Sequence, residues 1–108
     1  MDGVNLLNQS KTRERLADLY ADDVVALAVL QYLWEILADE EKEEVVHNGA
    51  YGDTWYGLDL GMWVAAQRRH PVPERLLDVV EAEMRHRDDP IRLDESISCL
   101  RAMNKEAA

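Results

Sequence analysis

The sequence predicts an all-α protein, a compact bundle of about five or six short helices around a central apolar helix at residues 24–37. Three observations predict it. Chain breakers are scarce, with 5 Gly and 3 Pro in 108 residues, whereas a many-turned β protein needs more punctuation. Capping residues and breakers bracket each apolar-periodic segment. Finally, the run VVALAVLQYLWEIL at 24–37 is polar only at Gln31 and Glu35. Those two lie four residues apart and form one narrow stripe, so a helix there is apolar nearly all round and suited to burial.

Taken in order, residues 1–9 mix Asn with Val4, Leu6 and Leu7 and read as a flexible arm or an extra helical turn. Ser10 suits an N-cap for a helix over 11–20 that puts Leu16, Leu19 and Tyr20 on one side. Asp22 and Asp23 provide a cap and a first-turn acid for the apolar helix. Asp39 suits the cap of a third helix, with Glu40 and Glu41 in its first turn and a left-handed stop at His47-Asn48-Gly49. Residues 50–54 read as a loop. Asp53 or Thr54 caps a helix over 55–69, which Pro71 stops. Pro73 belongs to the first turn of a helix at 74–87. Asp88-Asp89-Pro90 breaks the pattern, and a last helix starts near Asp89 or Asp94 and runs to about Met103. Residues 104–108 read as a fraying tail. No linker or internal repeat divides the chain, so 1–108 reads as one domain.

The balance of 47% apolar and 31% charged residues belongs to a globular chain rather than a disordered one. With 22 acidic and 12 basic side chains the net charge is −10. Affinity for nucleic acid comes largely from Lys and Arg neutralising phosphates. The densest cations here, Lys11-Thr-Arg13-Glu-Arg15 and Arg85-His-Arg87, sit beside acids, so direct binding to DNA, RNA or an anionic membrane is not expected. The same field attracts a basic protein. Cys99 is the single cysteine. It permits no intramolecular disulfide and reads as a small buried hydrophobe. The first residues lack the basic and apolar regions of a signal peptide. The longest apolar stretch is too short and too interrupted to span a membrane. A cytoplasmic location follows as the expectation, and the excess of Arg over Lys suggests a bacterial or phage genome.

Three constellations bear on function. In and just beyond the segment 55–63, WYGLDLGMW, Gly57, Gly61 and Ala65 share one stripe, inviting close approach of another helix within the fold or across a two-fold interface, and a homodimer is the expected state. Leu30, Leu33 and Trp34 on the apolar helix are the other candidate close-packing or dimer residues. Trp55 with Met62, and Tyr56 with Trp63, occupy the remaining faces, either as core or as anchors for a partner. The second constellation is a pair of Glu-x-x-His motifs, Glu44…His47 and Glu83…His86. That spacing resembles a bundle metal site, with Glu35 a third candidate ligand, but Asp59 is too short to complete the set. No cofactor or metal is therefore expected. The third is the acidic run 39–44, either a solvated face, a docking site for a basic patch or a mimic of nucleic-acid phosphates. No phosphate loop, nucleophile elbow or paired CxxC is present.

These readings converge on a small acidic, non-enzymatic module that binds a protein with a basic or apolar surface and antagonises or sequesters it. A bacterial transcription activator fits as the target. A toxin-immunity protein, or a phage inhibitor of a nucleic-acid-binding complex, fits the same description. A metal-dependent helical-bundle enzyme using Glu44/His47 and Glu83/His86 is the alternative of another class. The expected contact residues are Tyr51, Trp55, Tyr56, Glu40, Glu41 and Glu44. Tyr51 and Trp55 are expected near the surface because they flank a Gly-containing loop.

Overall fold

The computed structural model describes residues 13–87 and 93–107. The described residues form six helices and no strand. Helix α1 is described over 13–19; it is followed by α2 (Val24–Leu33), α3 (Asp39–Ala50), α4 (Thr54–Gln67), α5 (Glu74–His86) and α6 (Asp94–Ala107). The all-α bundle expected from the sequence is the observed architecture. The expectations for the 1–9 arm and the Ser10 cap fall outside the described residues.

Helix α2 is shorter and less enclosed than its composition suggests. It begins as expected, with the Asp23 carboxylate accepting from the Ala26 amide at 3.2 Å. It ends at Leu33 and gives way to a 3-10 turn at Trp34–Ile36. Winding at three residues per turn eclipses positions i and i+3, which lets Trp34 and Leu37 enter the core together. Ala26, Val29, Leu30 and Leu33 form its buried face. Val24, Ala28, Gln31, Tyr32 and Glu35 face solvent, so the polar stripe is real but wider than two residues. The centre of the bundle is shared with α4, which packs against α2, α3 and α6. Half of α4 is glycine, alanine or large apolar side chains buried against those neighbours.

Tyr20 organises the junction of α1, α3 and α4. Its hydroxyl donates to the Val45 carbonyl at 2.7 Å, and its ring is fully buried. A Cβ at Gly49 or Gly57 would run into that ring or hydroxyl. This explains why α3 does not stop at Asn48-Gly49. Gly49 is needed for helix-to-ring clearance inside α3, and the left-handed residue comes later, at Gly52 with φ 79°. The other boundary of α3 also differs from expectation. The N-cap is Ala38 rather than Asp39, and its amide is held by Glu41 reaching back at 2.7 Å.

Helix α4 ends in a Schellman turn. His70 N–H donates to the Ala65 carbonyl at 2.9 Å and Arg69 N–H to Ala66 at 3.3 Å, with Arg69 in the left-handed conformation at φ 52°. Helix α6 continues to Ala107, so the fraying tail is not observed over 104–107. Asn104 donates to the Val72 carbonyl at 2.9 Å and to Glu74 at 3.0 Å, and Glu106 pairs with Arg69 at 2.8 Å. These long-range contacts hold a segment whose local sequence carries little apolar pattern. Cys99 lies exposed on α6 rather than buried, because Ile97 and Leu100 take the inward positions beside it. No helix among the described residues is long and apolar enough to cross a membrane.

Candidate functional site

The sequence left the aromatic segment of α4 divided between two uses, and the structure assigns one face to each. Trp55 and Met62 are core residues, 2% and 0% exposed. Tyr56 and Trp63 are 53% and 54% exposed. Tyr56, Asp59, Leu60 and Trp63 follow the spacing i, i+3, i+4, i+7 and therefore share one side of the helix. Asp59 and Leu60 are partly buried there. Exposed aromatics on a rigid helix are well suited to anchor a partner, since little side-chain entropy is lost on binding.

Beside this face lies a cleft of about 420 Å³ between α4 and the first turn of α6, lined by Asp59, Trp63, Asp94, Glu95 and Ser96. Three of its lining residues, Asp59, Asp94 and Glu95, are acidic. Burial raises the Asp59 carboxyl above the usual Asp range. None of the ion pairs found among the described residues reaches Asp59 to offset that burial. The sequence marked Asp59 only as a deficient metal ligand and Asp94 only as a possible helix start, and gave Leu60 and Glu95 no role. The register with Tyr56 and Trp63 could have pointed to Leu60 and Asp59. Nothing local could have brought α6 alongside.

The second surface is the outer side of α3. Glu40, Glu44 and His47 are exposed and share a stripe that ends in Tyr51, whose ring is 73% exposed. The His47 and Tyr51 rings meet at a tilt of 55°, with centroids 4.7 Å apart. Glu41 does not belong to this surface. Its carboxylate accepts both arms of the Arg68 guanidinium, at 2.7 and 2.9 Å, as well as the Ala38 amide. Burial opposes its charge, but those hydrogen bonds and the Arg68 charge outweigh it and hold Glu41 below the usual carboxylate range. The acidic run also contains a buried cation: Lys42 lies with its ammonium 5.6 Å from the centre of the Trp34 ring.

Trp55 is the main correction to the expected contact set. Rather than standing near the surface, it is roofed by Arg87, whose guanidinium carbon lies 4.4 Å from the ring centre. The same guanidinium pairs with Asp23 at 2.8 Å and Glu83 at 3.2 Å. Asp23 in turn accepts from Thr54 Oγ1 at 2.7 Å. The ends of α2, α4 and α5 are thus tied by one polar cluster over the indole, which the loop argument did not foresee because Arg87 is remote in sequence.

The residues proposed for close packing or dimerisation are used inside the chain. Gly57 lies under Tyr20, and a Cβ at Gly61 would come within 2.7 Å of a Leu30 methyl carbon. Ala65, Leu30, Leu33 and Trp34 are buried in the same core. The two Glu-x-x-His motifs are not brought together. Glu44 and His47 are exposed on α3, and Glu83 is engaged by Arg87 on α5. Among the described residues no group of three or more His, Cys, Asp or Glu side chains is placed to hold a metal ion. Compared with known proteins, the chain matches no family model, no curated sequence and no solved structure.

Proposed function

We propose that this chain is a small acidic, non-enzymatic interaction module that binds another protein through the outer face of α4 and so antagonises or sequesters it. The observation that carries the reading is the exposure of Tyr56 and Trp63 together on one side of a helix whose opposite side is core. Large aromatics held rigidly at a surface contribute most of the affinity in many interfaces. The surrounding acids and the net charge of −10 favour a partner with a basic surface and speed its approach. A regulatory protein that itself binds nucleic acid presents such a surface. Direct binding of nucleic acid is disfavoured by the same charge, and Arg68, Arg69, Arg85, Arg87 and Arg101 are all engaged by carboxylates of this chain.

The reading is tested by affinity capture from the native host with the wild-type chain and with Trp63→Ala. Circular dichroism is the check that the variant stays folded. A partner should be retained by the wild type and released by the variant, with a loss of roughly 2 kcal/mol in affinity. A partner held equally well by folded Trp63→Ala would place the working surface elsewhere. Reversing Glu40 and Glu44 to Lys asks whether the α3 stripe contributes. There the expected effect is a slower association that high salt masks.

A further inference from the structure

Helix α4 carries two tryptophans, each accompanied by carboxylates. Around Trp55 the set is complete. The Arg87 guanidinium sits over the indole, its carbon 4.4 Å from the ring centre, and pairs with Asp23 and Glu83. Around Trp63 the matching groups are Asp59 from the same helix and Glu95 from α6, with Ser96 as a further polar neighbour in the cleft. The indole is half exposed. No cation of the described residues pairs with Asp59 or Glu95.

We propose that the cleft between α4 and α6 receives an arginine side chain of the partner protein, stacked on Trp63 and hydrogen-bonded to Asp59 and Glu95. The inference rests on the outer face of α4 being the binding face and names the chemistry that this face recognises. Guanidinium suits the site better than ammonium because its plane can lie on an indole while its edge donates to carboxylates. Arg87 shows both contacts made at once within this fold. A second copy of the chain is a poor occupant. Its net charge repels its twin, and its arginines 13, 68, 69, 85, 87 and 101 already hold carboxylates of their own, which leaves Arg15 and Arg75 as the described arginines without such a pair. With Arg87 in place the α5 site is closed, so an incoming guanidinium has the Trp63 cleft as the open set of this kind. Tyr56 and Leu60, along the same face, would take apolar side chains next to that arginine.

The test uses the intact chain and two small probes, N-acetyl-arginine amide and its uncharged isostere N-acetyl-citrulline amide, followed by NMR. The arginine probe should produce saturable shifts at the Trp63 indole N–H, Asp59, Glu95 and Ser96, and the citrulline probe should not. Asp59→Asn should weaken the arginine probe by about fivefold, as expected for losing a charge-assisted hydrogen bond at a partly exposed site. Trp63→Leu should weaken it by about threefold, the size of a partly exposed cation–π contact. Glu14→Gln with Asp18→Asn, exposed on α1, should leave it unchanged. Equal shifts from both probes, or shifts spread evenly to Glu40 and Glu44, would overturn the proposal. Arg92 lies outside the described residues, so the titration is repeated with Arg92→Gln. Binding that appears only in that variant would make the chain its own occupant and also overturn the proposal. Should the arginine probe fail while Trp63→Ala still releases the captured partner, the binding face stands and the guanidinium assignment alone falls.

Discussion

Trp55 and Trp63 stand on the same helix, eight residues apart, about 80° from one another around its axis at 3.6 residues per turn. Local sequence treats them alike, since each follows or precedes a glycine-spaced apolar stretch with an acid nearby. Yet one is sealed beneath an arginine and the other stands half in solvent. The difference is made by what the neighbouring helices deliver. The end of α5 brings Arg87 over Trp55, while the described start of α6 brings Asp94, Glu95 and Ser96 toward Trp63. The aromatic with its cation supplied is closed into the fold, and the one beside Asp59 and Glu95 stays half exposed.

The largest expected effect tests the buried half of that comparison. Trp55→Ala should cost about 3–5 kcal/mol of folding stability, the range for truncating a core aromatic, read as a fall in the urea midpoint. Trp63→Ala should shift it by less than about 0.5 kcal/mol, as surface changes usually do. Equal losses would dissolve the distinction between the two faces of α4.

Next in size is the arginine that separates them. Arg87→Met should cost about 2–3 kcal/mol, because it uncovers Trp55 and leaves the buried Asp23 carboxylate without its cation. Asp23→Asn keeps a good N-cap for α2 while removing that charge. The double variant should therefore recover at least about 1 kcal/mol relative to the sum of the singles. Strict additivity in chemical denaturation would mean that the Asp23–Arg87 pair does not couple α2 to α5.

Gly57 tests the close approach behind the same helix. In an exposed helix, Gly→Ala is worth about 1 kcal/mol of stabilisation. Here Gly57→Ala should instead destabilise by about 1–2 kcal/mol, since the new methyl meets the Tyr20 hydroxyl and the core must shift. The penalty should shrink in a Tyr20→Phe background, measured by thermal unfolding of the four combinations. A stabilised Gly57→Ala would show that α1 and α4 are less tightly packed than their contact implies.

The smallest effect contrasts the two acidic regions by pH. Glu41 titrates below its ordinary value in the folded chain. Its contribution is therefore complete above the unfolded Glu value and disappears as pH falls through the folded one. Because Arg68 is well exposed, that contribution should stay under about 1 kcal/mol. Asp59 is shifted upward, so its sign is opposite. Its ionised form is disfavoured in the folded chain, and folding gains as pH falls through its raised value. Glu41→Gln should flatten the acid side of the stability curve. Asp59→Asn should raise stability at neutral pH while weakening recognition, a trade-off common at binding sites. Matching pH profiles for the two variants would show that burial does not distinguish the acids.

Much of the architecture was legible because it rests on local rules. Asp23 caps α2, Pro71 and Pro73 bracket the break between α4 and α5, and the 3.6-residue pattern places Leu16 with Tyr20 on the inside of α1. The misplaced boundaries share one cause. Gly49 reads as a helix stop, but clearance for Tyr20 keeps it inside α3. Residues 104–107 read as a tail, but Val72, Glu74 and Arg69 hold them in helix. In each case a partner distant in sequence outweighed a local preference worth only about 1 kcal/mol.

The candidate site divides along the same line. Composition and spacing alone determined that the chain is acidic, helical and rich in aromatics over 51–63, and that Tyr56 and Trp63 share a side of α4 distinct from that of Trp55 and Met62, roughly 100° around the axis. Which side faces water was a tertiary decision. Periodicity defines faces only relative to each other, and α4 is apolar on most of its circumference. The docking of α2 and α3 on the glycine side, the arginine brought by α5 and the acids brought by α6 resolved that degeneracy. They made Trp55 a core residue, freed Tyr56 and Trp63, and turned Asp59 from an ordinary helical acid into one wall of a cleft.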